Sequence, residues 1–186
     1  MSGDEKKAAG GAAATPFGLP ISPEDQQLLD KYERQLTGSV SHTLDSKGRL
    51  VVPAVYRDSL GSGFCIAPSQ NFRSIAIYSA VRWAHVRESY AMLASRNSSL
   101  IRFLEYFDAL SFRGQECDGQ GRVLLPAKIR SLILGDEKDV EISGAGDHIR
   151  VAAASKDKDD FASFMNALPD ILSDINTLEA QNSHSV

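Results

Sequence analysis

The stretch LDSKGRLVVPAVYR, residues 44–57, determines how the first half of this 186-residue chain folds. It has a counterpart in CDGQGRVLLPAKIR, residues 117–130, at a constant offset of 73 residues. The matched positions are Asp45, Gly48, Arg49, Pro53, Ala54 and Arg57 in the first copy, and Asp118, Gly121, Arg122, Pro126, Ala127 and Arg130 in the second. Self-similarity at a fixed spacing indicates one supersecondary unit that the chain uses twice.

Each copy carries the sequence signals of a tight turn. The turn begins with an aspartate, whose carboxylate can accept backbone N–H groups, and a glycine follows three residues later. Glycine adopts the left-handed conformation at little cost, so we predict a type I turn with a glycine bulge at 45–48 and again at 118–121. In the first copy this turn should close a hairpin between strands at 37–44 and 49–53.

A proline and a second glycine delimit a short helix after each turn. Pro53 ends the strand and suits the start of a helix over 54–60, which Gly61 ends. Pro126 and Gly135 occupy the same positions around the second helix. A pair of β-prone segments then follows each helix, and the four segments are 63–68, 74–79, 139–144 and 148–153.

Apolar residues recur at helical spacing elsewhere in the chain. They predict helices at 81–93, 98–112 and 157–178. A further short helix is predicted at 22–36, where Ser22 can be the N-cap and Pro23 the first helical residue. The helices at 81–93 and 98–112 form an insert between the two copies. Pro169 lies within the last predicted helix and should kink or divide it.

The chain is therefore expected to consist of five segments around one core. A unit of four short strands and one helix turn is too small to bury its apolar face alone, so two copies should share a core about a pseudo-two-fold axis. We predict the α+β class, mainly β. The segments are a largely disordered N-terminal extension (1–35), a first repeat (36–80), a helical insert (81–113), a second repeat (114–155), and a C-terminal helix and tail (156–186).

Charge is distributed unevenly along the chain. The formal net charge is −4, but residues 37–113 carry +4 whereas residues 151–186 carry −4. A local basic surface can bind a polyanion whatever the total charge is. A charge of +4 over this length is also compatible with an ordinary solvated surface.

Arg49 and Arg122 directly follow the turn glycines, where a guanidinium can reach outward from an exposed turn. Such a group can bind phosphate or hydrogen-bond the edge of guanine in the major groove. The structural alternative is an ion pair with a nearby carboxylate, which is the better interpretation of a single copy. Two copies in matched context favour a ligand-binding role for Arg49 and Arg122, whereas a structural role is favoured for Arg57 and Arg130.

Other classes of site have little support in the sequence. Cys65 and Cys117 are isolated, the four histidines are scattered, and no Cys/His cluster has metal-ligand spacing. No catalytic serine or cysteine motif and no phosphate loop is present, and the GAGD segment at 144–147 is better interpreted as a tight turn. We therefore predict no enzymatic activity, no cofactor and no metal. No apolar run is long enough to span a bilayer, and we expect a cytoplasmic protein.

The segments HTLDSKGRLVVPAVYR (42–57) and DGQGRVLLPAKIR (118–130) resemble the two signature segments of the MraZ family. Members of this family are bacterial transcriptional regulators associated with the division and cell-wall gene cluster. The resemblance covers roughly residues 36–165. It implies a duplicated swapped-hairpin barrel of the SpoVT-AbrB type. It also implies a ring-like homo-oligomer that associates with the nucleoid and binds G-rich direct repeats upstream of its own operon.

The resemblance also implies roles for individual residues. Those that would contact double-stranded DNA are Lys47, Arg49, Gln120 and Arg122. Those that would shape the loops are Asp45, Gly48, Asp118 and Gly121. Because the second loop lacks a lysine and its half carries more negative charge, this loop is expected to contribute more to assembly than to DNA binding.

Two other roles are compatible with the same fold. An AbrB-type antitoxin binds operator DNA and a toxin, although such proteins normally carry one copy of the repeat per chain. An interaction scaffold would bind protein only. Salt dependence separates a scaffold from a DNA-binding protein, because binding through several phosphates weakens steeply as the salt concentration rises.

Overall fold

The computed structural model describes residues 36–95 and 97–183. The extension expected at 1–35 and the helix predicted at 22–36 lie outside these residues, apart from Leu36. The described residues confirm the α+β class. In chain order the elements are β1 (Ser39–Thr43), β2 (Arg49–Val51), α1 (Ala54–Leu60), β3 (Phe64–Pro68), β4 (Ile75–Tyr78), α2 (Ala80–Ala94), α3 (Ser98–Ala109), β5 (Phe112–Gln115), β6 (Arg122–Leu124), α4 (Ala127–Ile133), β7 (Asp139–Gly144), β8 (Ile149–Ala153) and α5 (Ala154–Ser183).

Six strands form one sheet in the order β1-β7-β8-β4-β3-β5, and neighbouring strands are antiparallel. The order has internal symmetry. Strands β3 and β4 form a hairpin, β7 and β8 form the matching one, and β4 pairs with β8 at the centre. The first strand of each repeat lies at an edge and pairs with the other repeat, β1 with β7 and β5 with β3. The two repeats are therefore joined by strand exchange at both edges.

The hairpin ladder predicted between the strands on either side of the first turn does not form. Strand β1 lies in the six-stranded sheet, whereas β2 pairs with β6 in a separate two-stranded ribbon. Pairing across the repeats lets each copy cover the apolar face that it could not bury alone. The prediction was wrong because turn chemistry is local, whereas the choice of a pairing partner depends on the whole chain.

The main core lies where the large sheet, the ribbon, α1 and α4 meet. Its fully buried side chains include Leu50, Ile66, Ile77, Leu125, Ile129 and Ile142. The other face of β3 and β4 packs against the helical insert, where the Trp83 and Phe107 rings stack with centroids 5.1 Å apart. Strands buried on both faces explain why these two segments are almost continuously apolar.

An ionic cluster connects the helical insert to the β7–β8 turn. Arg82 on α2 donates from Nε to Oδ2 of Asp147 at 2.7 Å, and His148 Nδ1 lies 2.6 Å from Oδ1 of the same carboxylate. Burial alone favours the neutral acid. The hydrogen bond with His148 and the charge of Arg82 outweigh this effect of burial and hold the pKa of Asp147 below its usual range. The cluster therefore stabilises this turn when the carboxylate is ionised.

Two predicted helices differ from the observed ones. The helix expected over 98–112 ends at Ala109, because the chain turns at Leu110 and enters β5 beside β3. The C-terminal helix α5 runs without interruption through Pro169, so the proline does not divide it. Residues along α5 are largely exposed, and the solvent can satisfy a carbonyl that loses its intrahelical partner.

Candidate functional site

The first loop is a tight turn closed by its own backbone. The Gly48 N–H donates to the Asp45 carbonyl at 2.9 Å, and the Asp45 N–H donates to the Arg49 carbonyl at 3.1 Å. The Asp45 carboxylate also accepts from the N–H groups of Lys47 and Arg49, both at 2.9 Å. Gly48 has φ +76°, in the left-handed region that favours glycine.

The second loop repeats this arrangement contact by contact. The Gly121 N–H donates to the Asp118 carbonyl at 2.8 Å, and the Asp118 N–H donates to the Arg122 carbonyl at 2.8 Å. The Asp118 carboxylate accepts from the N–H groups of Gln120 and Arg122 at 3.0 and 2.9 Å. Gly121 has φ +75°. The sequence repeat is thus also a structural repeat at the level of single hydrogen bonds.

Each loop arginine forms an ion pair with the aspartate of its own loop. Arg49 Nε lies 2.5 Å from Asp45 Oδ2, and Arg122 places Nε and Nη2 at 2.8 and 2.7 Å from Asp118 Oδ2. The arginine side chains remain 30% and 29% exposed. The ion pair considered as a structural alternative is therefore present in both loops, and it fixes the direction of two partly exposed guanidinium groups.

The charge state of these pairs follows from their hydrogen bonds. The Arg49 N–H and guanidinium hold the pKa of Asp45 below its usual value. The Arg122 guanidinium, followed by its N–H, lowers the pKa of Asp118 to about 2. Both carboxylates are therefore ionised at neutral pH, and both pairs are fully charged.

The ribbon formed by β2 and β6 places the two arginines on one face. Arg49 is opposite Leu124, Leu50 is opposite Val123, and Val51 is opposite Arg122. Directly opposed residues share a face and alternate residues point the same way, so Arg49, Val51, Arg122 and Leu124 lie on one side. The two arginine positions are offset by two residues, about 7 Å along the ribbon.

The opposite face of the ribbon anchors it to the core. Leu50 and Val123 are 0% and 2% exposed, whereas Leu124 on the outer face is 55% exposed. The ladder extends past the strands, because the Val52 N–H donates to the Gly121 carbonyl at 2.9 Å and the Leu125 N–H donates to the Gly48 carbonyl at 3.2 Å. A rigid, core-backed ribbon thus carries both loops.

The structure places the remaining predicted residues at the loop tips. Lys47 and Gln120 occupy matched, exposed positions within the turns. Sequence reasoning missed the outer-face apolar residues Val51 and Leu124. The alternation of apolar residues in RLVVP and RVLLP contained this signal, because the residue next to a buried strand position faces the other way.

Arg57 and Arg130, for which a structural role was favoured, bind backbone carbonyls. Arg57 Nε donates to the Val52 carbonyl at 2.7 Å, and Arg130 Nη1 donates to the Leu125 carbonyl at 3.3 Å. Both side chains are half-buried. Val52 and Leu125 each precede the N-cap proline of a short helix, so their carbonyls lie outside the helical hydrogen-bond ladder and a guanidinium can satisfy them.

The residues described in the structure contain no group of three or more His, Cys, Asp or Glu side chains placed to hold a metal ion. In the same part of the chain, no helix combines the length and apolarity needed to cross a membrane. The charged groups at the two loops include the arginine–aspartate pairs, the exposed Lys47, and the half-buried Arg57 and Arg130.

The fold and the site define a class of two-repeat α+β protein that displays a pair of aspartate-anchored arginines on one β-ribbon. Comparison with known proteins identifies the class. Residues 36–101 match the family model described as "MraZ protein, putative antitoxin-like". The chain is also similar to proteins named transcriptional regulator MraZ.

Three of these relatives illustrate the extent of the similarity. The Limosilactobacillus fermentum protein is 32% identical over 130 residues, which cover 70% of this chain and 86% of the relative. The Acetivibrio thermocellus protein is 30% identical over 64% of this chain and 81% of the relative. The Lactiplantibacillus plantarum protein is 34% identical over 63% of this chain and 81% of the relative. The chain belongs to the MraZ family.

Proposed function

We propose that this protein is a sequence-specific DNA-binding transcriptional regulator and that the outer face of the β2–β6 ribbon is its DNA-binding surface. The observation that carries the proposal is the matched placement of Arg49 and Arg122 on one face of a core-anchored ribbon. The relatives named transcriptional regulators support the same function.

The geometry of the ribbon suits the major groove of DNA. That groove admits a two-stranded β-ribbon, and arginine donors can bind O6 and N7 of guanine there. Because Asp45 holds Arg49 through Nε, the terminal nitrogens remain for an acceptor on DNA. A guanidinium already fixed in direction loses less conformational entropy on binding, which favours affinity.

The tips of the loops should contribute unequally. Lys47 is an exposed cation that can approach a phosphate, whereas the matched Gln120 is neutral and can only donate or accept hydrogen bonds. The first loop is therefore expected to supply more of the electrostatic affinity. The second loop would contribute through Arg122 or through assembly.

We infer that the working form is a homo-oligomer, ring-like as in the family resemblance. Single loops with one arginine each bind weakly, and identical loops held at a regular spacing gain affinity on direct repeats by effective concentration. Helix α5 supports self-association, because it exposes an apolar face. The exposed side chains are Phe161, Phe164, Met165, Ile171, Leu172, Ile175 and Leu178.

The finer features of this proposal follow from the resemblance. The sheet and ribbon together would form the swapped-hairpin AbrB-like barrel, with the strand exchange described above as its basis. The DNA target would be G-rich direct repeats upstream of the protein's own division and cell-wall gene cluster. The protein would then act in the cytoplasm at the nucleoid, without enzymatic activity.

The test is binding of the purified protein to its own upstream DNA and to a scrambled duplex at two salt concentrations. We expect Arg49→Ala to weaken specific binding by about 1–3 kcal/mol, and Arg122→Ala to do so if both loops contact bases. Arg87→Ala is a matched control, because Arg87 is also a partly exposed, aspartate-paired arginine but lies on the helical insert. It should leave binding unchanged.

The outcomes separate the alternatives. The proposal would be contradicted if Arg49→Ala, Arg122→Ala and the control Arg87→Ala all lost the same affinity for the upstream DNA. It would also be contradicted if the wild type showed no preference for upstream DNA over the scrambled duplex. DNA binding that is lost only on addition of a protein partner would favour the antitoxin role. A partner complex that forms without DNA and is insensitive to salt would favour the scaffold.

A further inference from the structure

Each short helix sends an arginine beneath the loop of the opposite repeat. Arg130, on α4 of the second repeat, approaches the first loop, where Nη1 lies 3.5 Å from the Lys47 carbonyl. Arg57, on α1 of the first repeat, approaches the second loop at Gly121. The matched pair therefore crosses between the repeats.

The turn glycines make this approach possible. A Cβ atom at Gly48 would overlap the guanidinium of Arg130, and a Cβ atom at Gly121 would overlap the guanidinium of Arg57. Gly48 and Gly121 are themselves buried, although they lie in loops whose tips are exposed. A side chain at either position would therefore displace a guanidinium as well as strain the positive φ.

We propose that Arg130 and Arg57 are positioning residues that each hold the loop of the opposite repeat, so that Arg49 and Arg122 are set as a coupled pair. As a statement about DNA binding, this inference rests on the proposed function. As a statement about loop geometry, it stands on the contacts alone.

The backbone supplies a closed connection for this coupling. Val52 donates its N–H to the Gly121 carbonyl and accepts from Arg57 Nε at its own carbonyl. Arg57 in turn lies against Gly121. Leu125 has the matched connection, donating to the Gly48 carbonyl and accepting from Arg130 Nη1. Displacing Arg130 should therefore loosen the first loop before the second, and displacing Arg57 should loosen the second loop before the first.

A direct contact with DNA does not explain these two arginines as well. Arg57 Nε and Arg130 Nη1 donate to backbone carbonyls, and both side chains are half-buried. Lysine keeps the charge but lacks the planar guanidinium that lies against each glycine. Arg→Lys variants therefore separate the shape of the side chain from its charge.

The experiment is hydrogen–deuterium exchange of full-length Arg130→Lys and Arg57→Lys, each the matched control of the other. Peptides that cover 45–49 and 118–122 report the two loops. We expect Arg130→Lys to raise exchange in 45–49 by about tenfold while 118–122 stays near wild type, and Arg57→Lys to give the opposite pattern. Equal exchange in both loops, or faster exchange only in the loop of the same repeat, would overturn the inference.

DNA binding supplies a second measurement that a purely structural role would not change. Arg130→Lys should lower affinity for specific DNA about fivefold or more while the salt slope stays that of the wild type, because no phosphate contact is lost. A slope reduced by about 1 in Arg130→Ala would instead assign Arg130 to a phosphate and overturn the positioning role. If the wild type binds no DNA, the proposed function fails, and the exchange pattern alone decides the inference.

Discussion

The hydroxyl of Tyr56 joins the start of β1 to the end of β7, and its removal should measure how tightly the exchanged edge strand is held. The side chain is 2% exposed. Its hydroxyl donates toward the carbonyls of Gly38 and Thr37 at 2.8 and 3.0 Å, and it accepts from the Gly144 N–H at 3.0 Å. The substitution Tyr56→Phe removes these bonds and keeps the aromatic ring.

The expected cost follows from what each partner retains. The Gly144 N–H keeps a second bond to the Gly38 carbonyl at 2.9 Å, so only part of the buried network is lost. Thr37 is exposed, so its carbonyl can bind water instead, and a net hydrogen bond contributes about 0.5–1.5 kcal/mol, which is the loss that we expect. For a chain of this size, that lowers Tm by about 1–6 °C.

The assay is equilibrium unfolding in urea at one fixed protein concentration, because an oligomer makes apparent stability concentration-dependent. Ile129 occupies the matched position in the second repeat, and Ile129→Val is the control. It should cost about 0.5–1.5 kcal/mol through lost packing, without faster hydrogen exchange in 37–43. A Tyr56→Phe protein as stable as the wild type, or one destabilised with unchanged exchange in 37–43, would refute the reasoning.

Three further outcomes are expected. Gly48→Ala should destabilise the protein by about 0.5–1.5 kcal/mol more than Gly146→Ala in thermal unfolding, because the two glycines have similar φ, +76° and +77°, but only at Gly48 does a methyl group displace the Arg130 guanidinium from its carbonyl partners. Because the pKa of Asp147 is lowered in the folded protein, its ionised carboxylate should stabilise the fold above about pH 4, and this stabilisation should be lost as the pH falls further. The free energy of unfolding of D147N should therefore depend less on pH in the acid range than that of the wild type. Burial raises the pKa of Cys65 to about 12 and raises that of Cys117, so iodoacetamide at pH 8 should leave Cys65 unmodified and label Cys117 slowly, as mass spectrometry would show.

The sequence predicts the parts of this structure that depend on neighbouring residues. The two turns follow from an aspartate and a glycine three residues apart, and Gly48 and Gly121 take the expected left-handed conformation. The short helices end where Gly61 and Gly135 terminate them. Each of these features depends on residues only a few positions apart, so a short segment of sequence is enough to predict it.

The features that sequence reasoning missed depend on residues that are distant in the chain. The residues of 37–44 predict a strand but not that its partner is β7, so the expected hairpin was wrong. The same holds for Arg57 and Arg130, whose positions against the opposite glycines require the strand exchange to be known first. The ion pair of Arg49 with Asp45 was visible in the sequence as an alternative, because both residues lie in one turn.

Strand exchange also determines when during synthesis the site can form. Val40 in β1 pairs with Ile142 in β7, 102 residues later, and Leu50 pairs with Val123. At translation rates of about 5–20 residues per second, the ribosome needs about 5–20 s to reach the partner of β1. During that interval the first repeat emerges with two strands that have no partner, and contacts this distant in sequence form slowly. The arginine loops therefore acquire their final geometry only after the second repeat has left the ribosome, so a prematurely terminated chain would have the first motif but not the ribbon face that we propose binds DNA.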